Sequence, residues 1–328
     1  MAALEKLVNH ELNDVYNSSE HLLDVLQRMK SDATNSEIVE MLETYYDQAQ
    51  YQKKKLEEHF SERPNKKEET DCLIMEALKK HGLESIRYQG STEIRDIVLL
   101  LTVNMMKHFE NTAFGTLIAQ AKRLKDEELV DLLNSLKKKI AEERKRPLDI
   151  ADAILKEGKS EDLKKEVETL LTQIIQVQVK DEKTLLDFLE HVIQEANSSE
   201  LQDAIETYIS EHAAYLEKFE AFLAAGESEE EVKNWETLHS FVSEWKEHLG
   251  SIPPGDLKDI GILLSIQRIM HQNAAVYEIE GVLADFLESR DMLKSFETFH
   301  QQEMDNDQSF TAIAEGSLFQ KGLDAKVS

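Results

Sequence analysis

The sequence predicts an all-α protein built as two tandem four-helix bundles, each with a short extra helix between its second and third helices. Three observations carry this. Only 11 Gly and 4 Pro occur in 328 residues, too little turn chemistry for an all-β chain. Apolar residues recur at helical spacing almost throughout. Finally, the Glu-Thr-Tyr beginning at Glu206 stands 163 residues after the one beginning at Glu43, about half the chain.

In the first half, Leu4, Val8, Leu12, Val15, Leu22, Leu26 and Met29 share one face of an opening helix. Asn35 or Ser36 can cap the second helix by accepting backbone N–H bonds. That helix runs to about Phe60 and stops at Ser61-Glu-Arg-Pro-Asn. A short helix from Cys72 to Lys80 follows, ending at His81-Gly82, with Cys72 and Met75 on an apolar face. Long helices are expected from Thr92 to Leu124 and from Glu127 to Arg146, where Pro147 stops the chain.

The design then recurs. Asn35-Ser-Glu-Ile-Val-Glu-Met-Leu-Glu-Thr-Tyr is paralleled by Ser198-Ser-Glu-Leu-Gln-Asp-Ala-Ile-Glu-Thr-Tyr. The second short helix carries Trp235, Leu238, Phe241, Val242 and Trp245. After Pro253-Pro254-Gly255 come a long helix from Asp256 to Glu288 and a last one from Met292 to Ala314. The boundary falls in Lys156-Glu-Gly-Lys-Ser-Glu, giving units at 1–155 and 160–316 and a loose tail at 317–328.

The formal charge is −27, from 65 acidic and 38 basic residues. Such an excess repels phosphate backbones and anionic lipid, so neither nucleic acid nor membrane is expected as a partner. The one basic island is Lys137-Lys-Lys with Arg144-Lys-Arg146. A single cysteine, Cys72, excludes an intramolecular disulfide and a cysteine zinc cluster. The opening residues carry early charges and lack an apolar h-region, and a cytoplasmic location is expected.

Three stretches carry a family resemblance. They are Glu11-Leu-Asn-Asp14-Val-Tyr16-Asn-Ser-Ser-Glu20, Cys72-Leu-Ile-Met75-Glu76-Ala-Leu78, and Ile94-Arg95-Asp96 through His108-Phe109-Glu110 to Phe114-Gly115-Thr116-Leu117. Residues 1–145 resemble the YciF-type family of ferritin-like bacterial stress proteins; the second unit resembles it through the repeat. The resemblance implies two tandem ferritin-like bundles, a stress-response setting and, in the family, a two-metal site of inward carboxylates and histidines. It names no partner and admits a homodimer.

Carried over to this sequence, the family's ligands are degraded in the first unit. Glu20 survives, the helix-two pair falls on Gln48 and Gln52, and the helix-three ligand on Lys107. On helix four the candidates are Lys138 or Lys139 against Glu142 or Glu143. Gln is a weak neutral donor and an ammonium repels a cation, so no metal is expected in the first bundle. Lys107 lies three residues from Glu110 on one helix face, so a lysine–carboxylate network is expected instead.

In the second unit, Phe296, His300, Glu303, Asp307 and Phe310 follow 4, 3, 4, 3 spacing on one stripe. Glu211 and His212 occupy the area of Gln48, Asp181-Glu182 lie near the Glu20 equivalent, and Glu280 lies on the third helix. The candidate ligand set is therefore Glu211, His212, Glu280, His300, Glu303 and Asp307, for iron, manganese or zinc. Glu236-Thr-Leu-His239 is a second Glu-x-x-His on the short helix, where opposing ligands are not expected. Two functional readings stand. One is a non-catalytic, stress-associated scaffold or assembly protein with a degenerate di-metal site; the other is a metal-binding oxidase or iron-handling protein using the second bundle.

Overall fold

A computed structural model of the chain describes residues 2–63, 67, 72–158, 160–225, 237–252 and 254–318. Among them every regular element is helical, so the protein is all-α. The first half contains α1 (Ala2–Asp32), α2 (Ser36–Glu62), α3 (Leu73–Ser85), α4 (Thr92–Leu124), α5 (Glu127–Glu142) and α6 (Arg146–Glu157). The second contains α7 (Glu161–Glu195), α8 (Ser199–Ala225), α9 (Thr237–Ser251), α10 (Asp256–Phe286) and α11 (Arg290–Ile313). Trp235 and the tail beyond Leu318 lie outside the described residues.

Asn35 caps α2 by accepting from the amides of Glu37 and Ile38, as its short polar side chain allows. Ser91 and Asp126 do the same for α4 and α5. Two elements depart from the sequence expectation. Pro147 does not end a helix but sits in the first turn of α6, where its missing N–H needs no partner. Gly82 does not end α3 either; a Cβ there would stand 2.6 Å from Val25 Cγ2, so glycine serves the close approach of α3 to α1.

In each half four long helices pack around one another: α1 with α2 and α4, and α5 with α4 and α2; then α7 with α8 and α10, and α11 with α10 and α8. The short helices α3 and α9 cover the side where α1 meets α4 and α7 meets α10, and they also touch each other. The halves join along α4 and α10. Both of these helices are buried nearly all round, as expected of helices facing a bundle on one side and the other repeat on the other.

The 163-residue spacing extends well beyond the Glu-Thr-Tyr anchor. Asp96 accepts from the Thr34 hydroxyl before α2, and Asp259 accepts from the Asn197 and Ser198 amides before α8, one repeat later at both ends. Lys125 and Glu288, at the ends of α4 and α10, adopt left-handed φ of 58° and 57°. His108 and His271 also correspond, and their rings meet across the junction at 6.1 Å.

Candidate functional site

The first bundle's centre is built by α2 and α4. Tyr45 donates its hydroxyl to Glu110 Oε2 at 2.5 Å, and Gln52 Nε2 donates to Glu110 Oε1 at 3.0 Å. Lys107, one turn earlier and only 1% exposed, places Nζ 4.3 Å from the centroid of the Tyr45 ring. Burial lowers the Lys107 pKa to about 8, although Glu110 and Glu143 pull it upward. Burial also raises the Glu110 carboxyl, against its hydrogen bonds from Tyr45 and Gln52 and the charge of Lys107. Each group is therefore tuned toward a neutral or mutually screened state.

Two expected members lie elsewhere. The Glu20 side chain is 68% exposed and is held by Lys53 Nζ at 2.7 Å. Its place inside is taken by Ser19, which bonds its own helix at Val15 O. Gln48 is half-buried, and its Oε1 has no hydrogen-bond partner.

The second centre draws one group from each long helix. His212 of α8 lies between two carboxylates, with Nδ1 2.6 Å from Glu182 Oε2 on α7 and Nε2 3.3 Å from Glu303 Oε1 on α11. Tyr208 donates to Glu303 Oε2 at 2.9 Å, Asn273 Nδ2 to Glu303 Oε1 at 3.0 Å, and Tyr277 to Glu182 Oε1 at 3.2 Å. Burial works against a charge on His212, but Glu182 and Glu303 outweigh it and raise its pKa to about 10. The two carboxylates favour the charged ring, with Nδ1 hydrogen-bonded to Glu182 and Nε2 facing Glu303 without a hydrogen bond. Glu280 of α10 is buried with both carboxylate oxygens unpartnered, and burial together with the charge of Glu182 pushes its pKa well up.

The structure thus brings His212, Glu280 and Glu303 to the centre, adds Glu182, and disperses the rest of the expected ligand set. Glu211 points away and accepts from Asn306 Nδ2 at 2.6 Å. His300 and Asp307 face the other repeat. His300 Nε2 lies 3.3 Å from Glu278, and Asp307 Oδ2 lies 3.4 Å from His271 Nε2. His239 is exposed, and its partner in the Glu-x-x-His pair, Glu236, is outside the described residues.

Between the repeats, the carboxylate of Glu278 collects His108 Nε2 at 3.0 Å, Asn104 Nδ2 at 3.1 Å and Arg144 Nη1 at 3.4 Å. Burial works to raise its pKa, but the contacts from His108, His300 and Asn104 outweigh it and hold the carboxyl well below the usual range. The buried Glu11 carboxylate of α1 pairs with the Arg268 guanidinium of α10, which also lies over the Trp245 ring. These ion pairs tie one half to the other and are shielded from salt by burial.

Neither centre fits a two-metal site as arranged. In the first, an ammonium stands among the polar groups, where it repels a cation. In the second, Glu182 and Glu303 favour the protonated imidazole, which has no lone pair to offer a metal, although Nε2 itself makes no hydrogen bond. Among the described residues no cluster of three or more His, Cys, Asp or Glu has metal-holding geometry.

Residues 3–164 and again 166–322 match the family described as Domain of unknown function (DUF892). The chain is 23% identical to Protein YciF of Escherichia coli (strain K12) over 153 residues, which cover 46% of this chain and 90% of that protein. The crystal structure of the E. coli stress protein YciF aligns with a TM-score of 0.46 and 21% identity, covering 48% of this chain and 100% of that one. The chain belongs to the DUF892 family and carries its domain twice, as a tandem duplication.

Proposed function

We propose that the protein is a stress-associated, ferritin-like scaffold or assembly protein whose two bundle centres hold organic cations where the fold elsewhere holds metals. The observation that carries this is the placement of Lys107 beside Glu110 and of His212 between Glu182 and Glu303. Each cation offsets a buried carboxylate that would otherwise be costly to desolvate. Such centres stabilise and specify packing, but they offer no open coordination position at which to activate oxygen. The stress association rests on the sequence similarity to E. coli YciF, a protein described as a stress protein.

A second reading, an oxidase or iron-handling role for the second bundle, is favoured by Glu280. Its unpartnered carboxyl group beside Glu182 is the kind of orphan that a bound ion would satisfy. It requires His212 to give up a proton and both carboxylates to turn. Elemental analysis of protein purified without chelator separates the two. The scaffold reading expects less than about a tenth of an equivalent of iron, manganese or zinc per chain. A near-stoichiometric signal that disappears in Glu280→Gln supports the second reading instead.

A further inference from the structure

The pseudo-symmetry of the junction exposes one pair of positions that differ sharply. At the 163-residue spacing, Gly115 and Lys137 are the counterparts of Glu278 and His300. In the second repeat those two positions form a contact, His300 Nε2 to Glu278 Oε1 at 3.3 Å. In the first repeat the acid is gone and the cation remains.

Removing the carboxylate leaves space. A Cβ at Gly115 would stand 2.9 Å from Lys137 Nζ, so any larger residue there shifts the ammonium from its place against α4. Around it opens a cavity of about 490 Å³ between α4, α5, α10 and α11, with Asn111, Lys122 and Asn134 and the acids Asp307 and Glu315 among its walls. The counterparts of the other Glu278 donors are already engaged. Gln267 Nε2 donates to Asp307 Oδ1 at 2.8 Å, and His271 Nε2 lies 3.4 Å from Asp307 Oδ2. Asp307 therefore stands in for Glu278 toward Gln267 and His271. Lys137 is left over: among the described residues, no carboxylate oxygen lies within 4.0 Å of its Nζ. Burial lowers its pKa, with Asp307 pulling it up and Lys122 pushing it down. A partly desolvated ammonium with no carboxylate in contact is costly, and an anion in the cavity relieves that cost beyond the longer-range pull of Asp307.

We propose that this cavity binds a small organic oxyanion, a carboxylate or phosphate group placed where the Glu278 carboxylate stands in the other repeat, with Lys137 as its anchoring cation. A chain of charge −27 repels anions at long range, so the site is local, salt-sensitive and selective for ligands small enough to enter.

The test is calorimetric titration of the full chain at low ionic strength with inorganic phosphate and, separately, with succinate. One-site saturable binding is expected for at least one probe, and the tighter of the two identifies the preferred group. Lys137→Met weakens binding at least about tenfold. Lys137→Arg retains much of it, and Lys138→Met, at the exposed neighbouring position, leaves it unchanged. Gly115→Ala, whose new methyl displaces the ammonium, also weakens binding while keeping a helix-favourable residue. Circular dichroism confirms that each variant is folded. Absence of saturable binding by either probe at millimolar concentration, or equal affinity in folded Lys137→Met, overturns the proposal.

Discussion

Tyr45 and Tyr208 hold the same place in the two repeats, and each donates its hydroxyl to a buried carboxylate brought by a different helix. For Tyr45 the acceptor is Glu110 on α4; for Tyr208 it is Glu303 on α11. The repeats have kept a polar centre and its tyrosine while exchanging the acid and the cation that answers it. At the positions of Ala49 and Ile140 in the first repeat, the second has His212 and Glu303. A polar network of this kind is stable only when its members change together, because each unpaired survivor is costly in a dry core.

Replacing His212 alone leaves Glu182 and Glu303 facing each other without a counter-charge. His212→Gln is expected to destabilise the protein by about 3–5 kcal/mol, read as a lower urea midpoint. The triple change His212→Gln, Glu182→Gln, Glu303→Gln recovers part of that loss, because it removes the charges together.

The two cations have opposite pH signatures. His212 has a folded pKa of about 10, above its ordinary 6.5. It therefore contributes stability that is fully present below about pH 6.5 and is lost as pH rises toward about 10. Lys107, lowered from 10.5 to about 8, acts in reverse: its penalty is relieved between about pH 8 and 10.5. Urea midpoints measured across this range should fall more steeply in Lys107→Met than in the wild type. They should fall less steeply in His212→Gln.

The aspartates before the second helix of each repeat offer a matched comparison. Asp259 accepts from two backbone amides, at 2.7 and 2.9 Å, whereas Asp96 is held by Thr34, through its hydroxyl at 3.3 Å and its backbone amide. Asp259→Ala is expected to cost about 1–2 kcal/mol, and Asp96→Ala less. Hydrogen exchange at Asn197 and Ser198 should quicken in Asp259→Ala.

Helix content and the repeat were legible because they rest on periodicity and spacing, which a single sequence displays directly. The depth of a given acid was not. With 65 acidic residues, Glu20 and Glu11 look equally able to face inward from α1, and only the partner decides: Arg268 draws Glu11 in, while Lys53 holds Glu20 out. The stripe on α11 was read as one face. It is two lines, each repeating every seven residues: Phe296, Glu303 and Phe310 enter the bundle, and His300 and Asp307 flank it toward the other repeat. The spacing cannot separate these lines, because the sequence does not say that α10 and α11 have a second neighbour. Glu182 had a local signal, since it continues the buried line of Gln178, Leu185 and Leu189 on α7. Pro147 and Gly82 were misread because both residues also serve inside helices, at a first turn and at a tight crossing.

The placement of cations in the bundle centres is tested most directly by the ring-nitrogen NMR of His212 in ¹⁵N-histidine-labelled protein, titrated between pH 6 and 10. The expected spectrum shows both nitrogens protonated at pH 7, with the change to neutral imidazole beginning only as pH nears about 10. A His212 that is neutral at pH 7, or one nitrogen of which carries a metal-bound shift, would contradict it.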